Sequence, residues 1–160
     1  MKLALNSLLN VLKAAGEETR IRILALFKGG ELTVTELATI MRQSQPRISR
    51  HLRLLCEAGL LERHREGTWI FYRLADLGEQ ADLVKSIMNY IPYQDQILQH
   101  DQKRLEEVKK TRDLKAASYF QENAANWDKI RSLYVPERQV EDYLLEITNN
   151  LEIETLLDVG

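Results

Sequence analysis

Apolar and polar residues follow two different spacings along this chain, which predict helices and a β-hairpin. Leucines spaced by three and four over residues 5–12 predict an amphipathic helix near the amino terminus. The same spacing over residues 44–55 predicts a helix with one buried face. Residues 60–65 and 68–74 are instead predicted as two strands, since 69–72 are strong strand formers and Gly67 between the two segments suits a tight turn. The pattern predicts a mainly α fold with a small β-hairpin.

Two helix-start signals mark a pair of short helices before the hairpin. Thr33, with Glu36 three residues later, has the sequence of a capping box. Ser44 is a second capping residue, placed just before the next helix. Gly59 suits the end of that helix. We therefore expect two helices joined by a tight connection and followed directly by the hairpin.

The second of these helices has an apolar face and a basic face. Ile48, Leu52 and Leu55 recur at spacings of four and three, so they are expected to pack inward. The opposite face carries Arg47, Arg50 and Arg53. Arginines on a helix surface are most often only solvated. Here a hairpin follows, and a helix pair followed by a hairpin is typical of a winged helix-turn-helix that places its second helix in the major groove of DNA.

The residue types at the start of this helix predict which side chains contact bases and which contact phosphates. Arg47 can bind guanine through two hydrogen bonds, and Gln45 suits adenine. Four neighbouring residues are expected mainly to bind phosphates: Ser44, Ser49, Arg50 and His51. Three residues of the hairpin are expected to follow the backbone into the minor groove: Arg63, Arg65 and Thr68.

Several motifs together resemble the ArsR/SmtB family of bacterial winged-helix repressors. They include Ser-Gln-Pro-Arg-Ile-Ser-Arg-His-Leu at 44–52, Glu-Ala-Gly-Leu at 57–60 and Arg-Glu-Gly-Thr-Trp-Ile-Phe-Tyr-Arg-Leu at 65–74, within a match over roughly residues 5–90. The resemblance implies a winged-helix domain over residues 1–92. It also implies a homodimer, to which the first helix contributes, that binds an inverted-repeat operator in double-stranded DNA and leaves it when a ligand binds.

The chain departs from the metal-sensing members of this family. They carry cysteines in the first helix of the motif, where this chain has Thr33 and Thr35, and hydroxyls do not replace thiolates as ligands for soft metals. The whole chain contains one cysteine, Cys56, and three histidines. We therefore expect no metal site, and a metal-responsive repressor remains an alternative.

Charge is distributed unevenly along the chain. Residues 1–75 contain twelve Lys and Arg against seven Asp and Glu, a net charge of +5, whereas residues 76–160 contain ten against seventeen, a net of −7. The basic part favours an anionic partner. No stretch is apolar enough to cross a membrane, and a single cysteine forms no disulfide framework, so a cytoplasmic location is expected.

Two further helices are predicted after the hairpin. Residues 76–90 have a helical apolar spacing, which Pro92 interrupts. Residues 94–121 predict a long, very polar helix in which Leu98, Leu105 and Arg112 recur at seven-residue spacing. This part of the chain, 93–123, is either a contact between subunits or a solvated connector, and the pattern does not choose between them.

The last part of the chain, 124–160, resembles the beginning of a class I S-adenosylmethionine-dependent methyltransferase. The resemblance rests on residues 119–131, on 135–140, where Pro136 suits a helix start, and on Thr-Leu-Leu-Asp-Val-Gly at 155–160, a short strand entering a glycine turn. It implies that Asp158 and Gly160 would help to bind S-adenosylmethionine or S-adenosylhomocysteine.

A methyltransferase fold needs further strands, so we expect these 160 residues to be a fragment of a longer repressor–methyltransferase fusion and not an enzyme by themselves. Three alternatives remain open: residues 156–159 are an apolar tail that docks on the helices, the intact fusion methylates a small molecule, or the long helix is a protein-interaction module.

Overall fold

The computed structural model describes residues 4–132 and 137–149, which form two compact units divided between Thr111 and Arg112. Its elements, in chain order, are α1 (Leu5–Ala15), α2 (Glu18–Leu26), a 3-10 turn (Phe27–Gly29), β1 (Leu32–Thr33), α3 (Val34–Met41), α4 (Gln45–Glu57), β2 (Leu61–Glu66), β3 (Trp69–Leu74), α5 (Ala81–Tyr90), α6 (Gln96–Ser132) and α7 (Glu137–Asn149). The predicted fold class, mainly α with a small β-hairpin, is confirmed.

The predicted helix pair is α3 and α4, and its first start signal acts as expected. The Thr33 side chain accepts a hydrogen bond from the Glu36 backbone N–H at 3.3 Å, and the Glu36 carboxylate accepts one from the Thr33 N–H at 2.8 Å. Ser44 does occupy the N-cap position of α4, but its side chain makes no capping bond. Pro46 lies in the first turn of α4, where its fixed φ favours helix.

The end of α4 leads directly into the hairpin formed by β2 and β3, here called the wing. Gly59 adopts the left-handed conformation, with φ +70°. The Leu60 N–H then donates to the Leu55 carbonyl at 2.9 Å and the Gly59 N–H to the Cys56 carbonyl at 2.9 Å, which closes the helix in a Schellman motif. As predicted, glycine ends the helix here, and the turn it makes sets the direction in which β2 begins.

The wing is part of a three-stranded antiparallel sheet in the order β1-β3-β2. β2 and β3 pair from Leu61 opposite Leu74 to Glu66 opposite Trp69, close to the hairpin predicted from sequence. β1 pairs with the other edge of β3 and was not predicted. It contains only two residues, too few for a periodic pattern to be visible.

The core of the first unit is apolar and lies between the helices and the sheet. Its largest fully buried side chains come from α1 to α4, the strands and α6: Val11, Ile23, Leu24, Leu26, Leu32, Leu37, Ile40, Ile48, Leu52, Leu55, Leu60 and Leu105. The predicted stripe of α4 is fully included, so the orientation of this helix is fixed by its three apolar residues.

The helix predicted over residues 76–90 begins later than expected. Gly78, with φ +91°, makes a turn that the helical spacing does not reveal, and α5 starts only at Ala81. Leu77 consequently does not join the apolar face and is exposed.

The long helix α6 is longer than predicted and packs against the first unit through its amino-terminal turns. Leu98, Asp101 and Leu105 are buried there, within the first compact unit, which extends to Thr111. The seven-residue repeat of Leu98 and Leu105 therefore packs within its own subunit, whereas the side chains of residues 111–122 are exposed. The helix predicted to start near Pro136 is α7. Asp158, Gly160 and the strand predicted at 155–159 lie outside the described residues.

Candidate nucleic-acid interface

The first half of α4 presents polar side chains on its exposed side. Gln45, Arg47, Ser49 and Arg50, here called the polar row, are all exposed, as is Ser44 at the N-cap. Ile48, on the other side of the same turns, is fully buried. Burial of one face thus leaves the row pointing outward on a rigid helix, which is the arrangement that base and phosphate contacts require.

Gln45 is held in place by the preceding helix. Its amide nitrogen donates a hydrogen bond to the hydroxyl of Thr35 at 3.3 Å. Sequence reasoning considered Thr35 only as a position without a thiol, because a contact across ten residues has no local signal. The bond restricts the side chain predicted to bind adenine while leaving it exposed.

His51 is set apart from the polar row. Its side chain is only 14% exposed, and Nδ1 lies 3.7 Å from the Glu17 carboxylate at the start of α2. That atom is buried and has no hydrogen-bond partner. Burial lowers the pKa of His51, which favours the neutral ring. The predicted phosphate contact of His51 remains a prediction, on a side chain that faces α2.

Glu17 caps α2 beside this histidine. Its carboxylate accepts hydrogen bonds from the Thr19 and Arg20 backbone N–H groups, both at 3.0 Å. Burial alone would raise the pKa of Glu17, but these bonds outweigh it and lower the pKa below its ordinary value. The negative charge next to His51 is therefore stable.

The register of the wing places two of its arginines on one face and its acidic residues on the other. Arg63 lies opposite Tyr72 and Arg65 opposite Ile70, so both arginines share the face on which Leu61 and Leu74 pack toward α4. We call this face the inner face. The opposite, outer face carries Glu62, His64 and Glu66, and His64 Nε2 lies 3.3 Å from the Glu31 carboxylate.

The tip of the wing is held by one of these arginines. Arg65 Nε donates to the Gly67 carbonyl at 2.8 Å, and Thr68 is exposed in the turn. The wing residues predicted to contact DNA thus fall into two places: Arg65 and Thr68 at the tip, and Arg63 nearer to α4.

An apolar surface lies away from the polar row. Leu5, Leu9 and Leu12 of α1 are exposed, although the same helix buries Val11. Leu12 also borders an open hollow of about 880 Å³. Other apolar residues that line the hollow come from α2, α5 and the start of α6: Ile21, Leu83, Ile87, Tyr90, Ile91, Ile97 and Leu98.

The described part of the chain contains no group of three or more His, Cys, Asp or Glu side chains placed to hold a metal ion. Cys56 is half-buried, and burial raises the pKa of its thiol. The helices that the structure describes are each too short or too polar to cross a lipid bilayer.

Comparison with known proteins places similarity in the same region. The family model of the arsR family of bacterial regulatory proteins matches residues 17–63. The arsenical resistance operon repressor of Escherichia coli (strain K12) is 47% identical over 68 residues, or 42% of this chain and 58% of that protein. This chain therefore matches little more than half the length of that repressor.

Two other proteins are similar over most of their own length. The transcriptional repressor SdpR of Bacillus subtilis (strain 168) is 39% identical over 82 residues, which cover 51% of this chain and 90% of SdpR. The crystal structure of the transcriptional repressor BigR from Xylella fastidiosa shows 31% identity and a TM-score of 0.49, covering 57% of this chain and 89% of BigR.

Proposed function

This chain belongs to the ArsR family of bacterial regulatory proteins, and we propose that it represses transcription by binding an inverted-repeat operator in double-stranded DNA. The family is one of regulators and not of enzymes. The observation that carries the proposal is the polar row of α4, exposed above a fully buried stripe. The names of two relatives, both repressors, support the direction of regulation.

In this proposal the start of α4 enters the major groove. Arg47 binds guanine through its two terminal nitrogens, and Gln45 reads adenine through its carboxamide. Ser44, Ser49 and Arg50 bind phosphates and fix the position of the helix. Arg65 and Thr68 at the wing tip follow the backbone toward the minor groove.

The test uses duplexes selected from a random pool by the wild-type protein. Arg47→Ala should weaken binding by about 1–3 kcal/mol and relax the preference at one base pair, because one base contact is lost. Lys115→Ala, which removes an exposed cation from the second half of α6, is the matched control and should bind like wild type. If Arg47→Ala weakens binding to every duplex equally, Arg47 contacts phosphates and not a base. A wild-type protein that selects no sequence would contradict the proposed function.

We propose that the operator-binding form is a homodimer, with α1 and α5 at the subunit contact. The exposed leucines of α1 and the apolar hollow beside them support this, since burying such a surface against a second copy removes it from water. An inverted repeat requires the same two-fold symmetry in the protein.

A pair of leucine variants tests the position of this contact. Leu12→Glu should produce monomers in sedimentation analysis and lower operator affinity. Leu114→Glu changes an equally exposed leucine in the second half of α6 and should leave the dimer intact. If Leu114→Glu produces monomers and Leu12→Glu does not, the subunit contact lies on the long helix instead.

S-adenosylhomocysteine or S-adenosylmethionine is the effector that we propose. Support comes from the sequence alone, from the methyltransferase-like run at 155–160 with Asp158 and Gly160, which lies outside the described residues. In the finer form of the proposal these residues begin a fused methyltransferase domain. A metal-responsive repressor is the alternative, favoured by the name of the Escherichia coli relative.

The effector is tested by titrating a preformed protein–DNA complex with each nucleoside, with arsenite and with Zn²⁺. Release by one nucleoside only, at a concentration that matches its affinity measured by calorimetry, supports the proposal. Such release means that the nucleoside binds the free protein more tightly than the DNA-bound protein, because a ligand shifts an equilibrium only by binding two states unequally. Release by arsenite or Zn²⁺ alone favours the alternative.

A further inference from the structure

A cleft of about 800 Å³ opens between α4 and the inner face of the wing. Most of its polar lining can donate hydrogen bonds: the guanidinium groups of Arg50, Arg53 and Arg63, and the hydroxyls of Ser49 and Tyr72. The lining contains one carboxylate, that of Glu57. Guanidinium groups and hydroxyls in one concave site match the oxygens of a phosphate group.

We propose that this cleft binds one phosphodiester of the DNA backbone, and that Arg53 and Tyr72 are phosphate-binding residues alongside Arg63. The inference rests on the proposed function, because it assumes that α4 and the wing contact the same duplex. It adds Arg53 and Tyr72, which were not predicted from the sequence to contact DNA.

The position of the cleft favours a duplex over a free anion. On one side lies the polar row, which is directed at the major groove, and on the other the wing tip with Arg65 and Thr68. A backbone strand separates the major groove from the adjacent minor groove. A protein that reaches both grooves from α4 and the wing must therefore accommodate that strand between them, which is where the cleft lies.

Arg53 is available for this contact. Its Nε lies 3.7 Å from the Glu57 carboxylate, and the two side chains are 68% and 64% exposed. A surface ion pair of this kind contributes little free energy. A phosphate can therefore replace Glu57 as the partner of Arg53 at small cost.

Tyr72 lies deeper in the cleft than the arginines. It is only partly exposed, and burial raises the pKa of its hydroxyl, so the group stays protonated and able to donate. Cys56, which lines the same cleft, is the only cysteine in the chain. It therefore serves as a chemical reporter of whether the cleft is occupied.

The first measurement is the salt dependence of affinity for the selected duplex. Arg53→Ala and Arg63→Ala should each weaken binding to all sequences alike, and the double variant should reduce the log–log slope by about 0.9, since the two arginines neutralise the same phosphate. Arg73→Ala is the matched control, because Arg73 lies in the same hairpin but on the outer face, paired with Glu62. Tyr72→Phe should keep the slope and lower the affinity by about fivefold, the effect of one lost hydrogen bond.

The second measurement identifies the bound phosphate and its source. Single methylphosphonate substitutions are placed along the duplex. The substitution at the phosphate that lies between a half-site and its flanking minor groove should weaken wild-type binding, and it should weaken the double variant Arg53→Ala, Arg63→Ala less. The duplex should also slow the reaction of Cys56 with a thiol reagent, and inorganic phosphate at the same phosphate concentration should not.

The outcomes separate this inference from the proposed function. If the wild-type protein binds its duplex but the double variant keeps the wild-type slope, the cleft does not hold a phosphate and the repressor function stands. Protection of Cys56 by inorganic phosphate to the same degree would make the cleft a site for a free anion, which overturns the proposal. If no duplex binds, both proposals fail together. Thermal unfolding of each variant establishes that it folds.

Discussion

His51 shows how one side chain on α4, the helix proposed to enter the major groove, can serve packing. It leaves α4 on the side that faces α2, next to the carboxylate of Glu17, and it is mostly buried. A positive charge on the His51 ring is disfavoured by three nearby arginines and favoured by Glu17; the arginines are Arg20, Arg47 and Arg50. Burial is the largest effect, so the folded protein holds this histidine neutral.

The lowered pKa of His51 predicts a loss of stability in acid. Below the ordinary pKa of 6.5 the unfolded chain takes up a proton at this histidine before the folded chain does, so stability falls as the pH drops from 6.5 toward the folded pKa. Glu17 stays ionised in this range because its pKa is lowered. Urea unfolding about one pH unit above and one below 6.5 should show the decrease.

His51→Gln should make that pH dependence smaller, since it removes the titrating group. His100→Gln, at an exposed histidine of α6, is the control and should leave the pH dependence as in wild type. Equal pH dependence in wild type and His51→Gln would refute the role given to this ring.

Substitutions at Gly67 test whether the conformation of the wing tip matters for operator binding. Its φ is +58°, and a Cβ added there would meet no atom within 4 Å. Gly67→Val should therefore strain the turn without a clash, at a cost of about 1–2 kcal/mol, and weaken operator binding by displacing the wing tip. Gly67→Asn should keep most of the affinity, because Asn tolerates the left-handed region. Equal affinities of the two variants would show that the wing tip does not contribute to binding.

Local signals explain which residues could be predicted from the sequence. The capping box of Thr33 and Glu36 spans three residues, and the glycine end of α4 is equally local, so both were predicted correctly. The burial of His51 could not be predicted, because it depends on Glu17, which only the packing of α2 against α4 brings near.

At the scale of elements, α6 is joined to the first unit by a buried ion-pair network. Asp101 is 1% exposed and accepts hydrogen bonds from Arg22 of α2, at 2.8 Å from Nε and 3.0 Å from Nη2. Arg104 donates to the same carboxylate and, through Nε, to the Ile40 carbonyl in α3 at 2.5 Å. Asp101 thus connects the long helix to α2, and Arg104 connects it to α3, the helix that precedes α4.

Removing the charge of Asp101 is expected to destabilise the protein strongly. Asp101→Asn removes the carboxylate charge that Arg22 and Arg104, both largely buried, share, and breaking a buried pair costs about 3 kcal/mol. Asp113→Asn, on the exposed part of α6, should change stability little. Urea unfolding measures both, and equal stabilities would mean that the network does not anchor α6.

The sequence identifies elements better than it identifies their partners. The hairpin and α7 follow from local patterns and lie within a few residues of their predicted positions. The heptad spacing of Leu98 and Leu105 correctly indicates an apolar face on α6, but it cannot reveal that the face packs within its own subunit. Asp101 and Arg22 are 79 positions apart, so nothing in the sequence pairs them.

At the scale of the molecule, much of the basic charge lies on one surface, formed by α4 and the inner face of the wing. The net charge of +5 over residues 1–75 includes the arginines of α4 and the inner face of the wing, while acidic residues occupy the outer face. Under the proposed function, long-range attraction should bring a duplex toward α4 and the inner face, and this contribution to binding should weaken as salt screens it.

If two copies bind one operator, the distance between their α4 helices must match the helical repeat of DNA. Half-sites read from one side of a duplex are separated by about one turn, or 10–10.5 base pairs. Inserting about half a turn between the selected half-sites should reduce the affinity to nearly that of a single half-site, because the second α4 then meets the wrong side of the duplex. Leu12→Glu, expected to be monomeric, should bind both duplexes equally and serves as the control. If the wild-type protein also binds the two duplexes equally, its two α4 helices do not act as a rigid pair, and the homodimer proposed from the apolar surface of α1 and α5 would not be the form that recognises DNA.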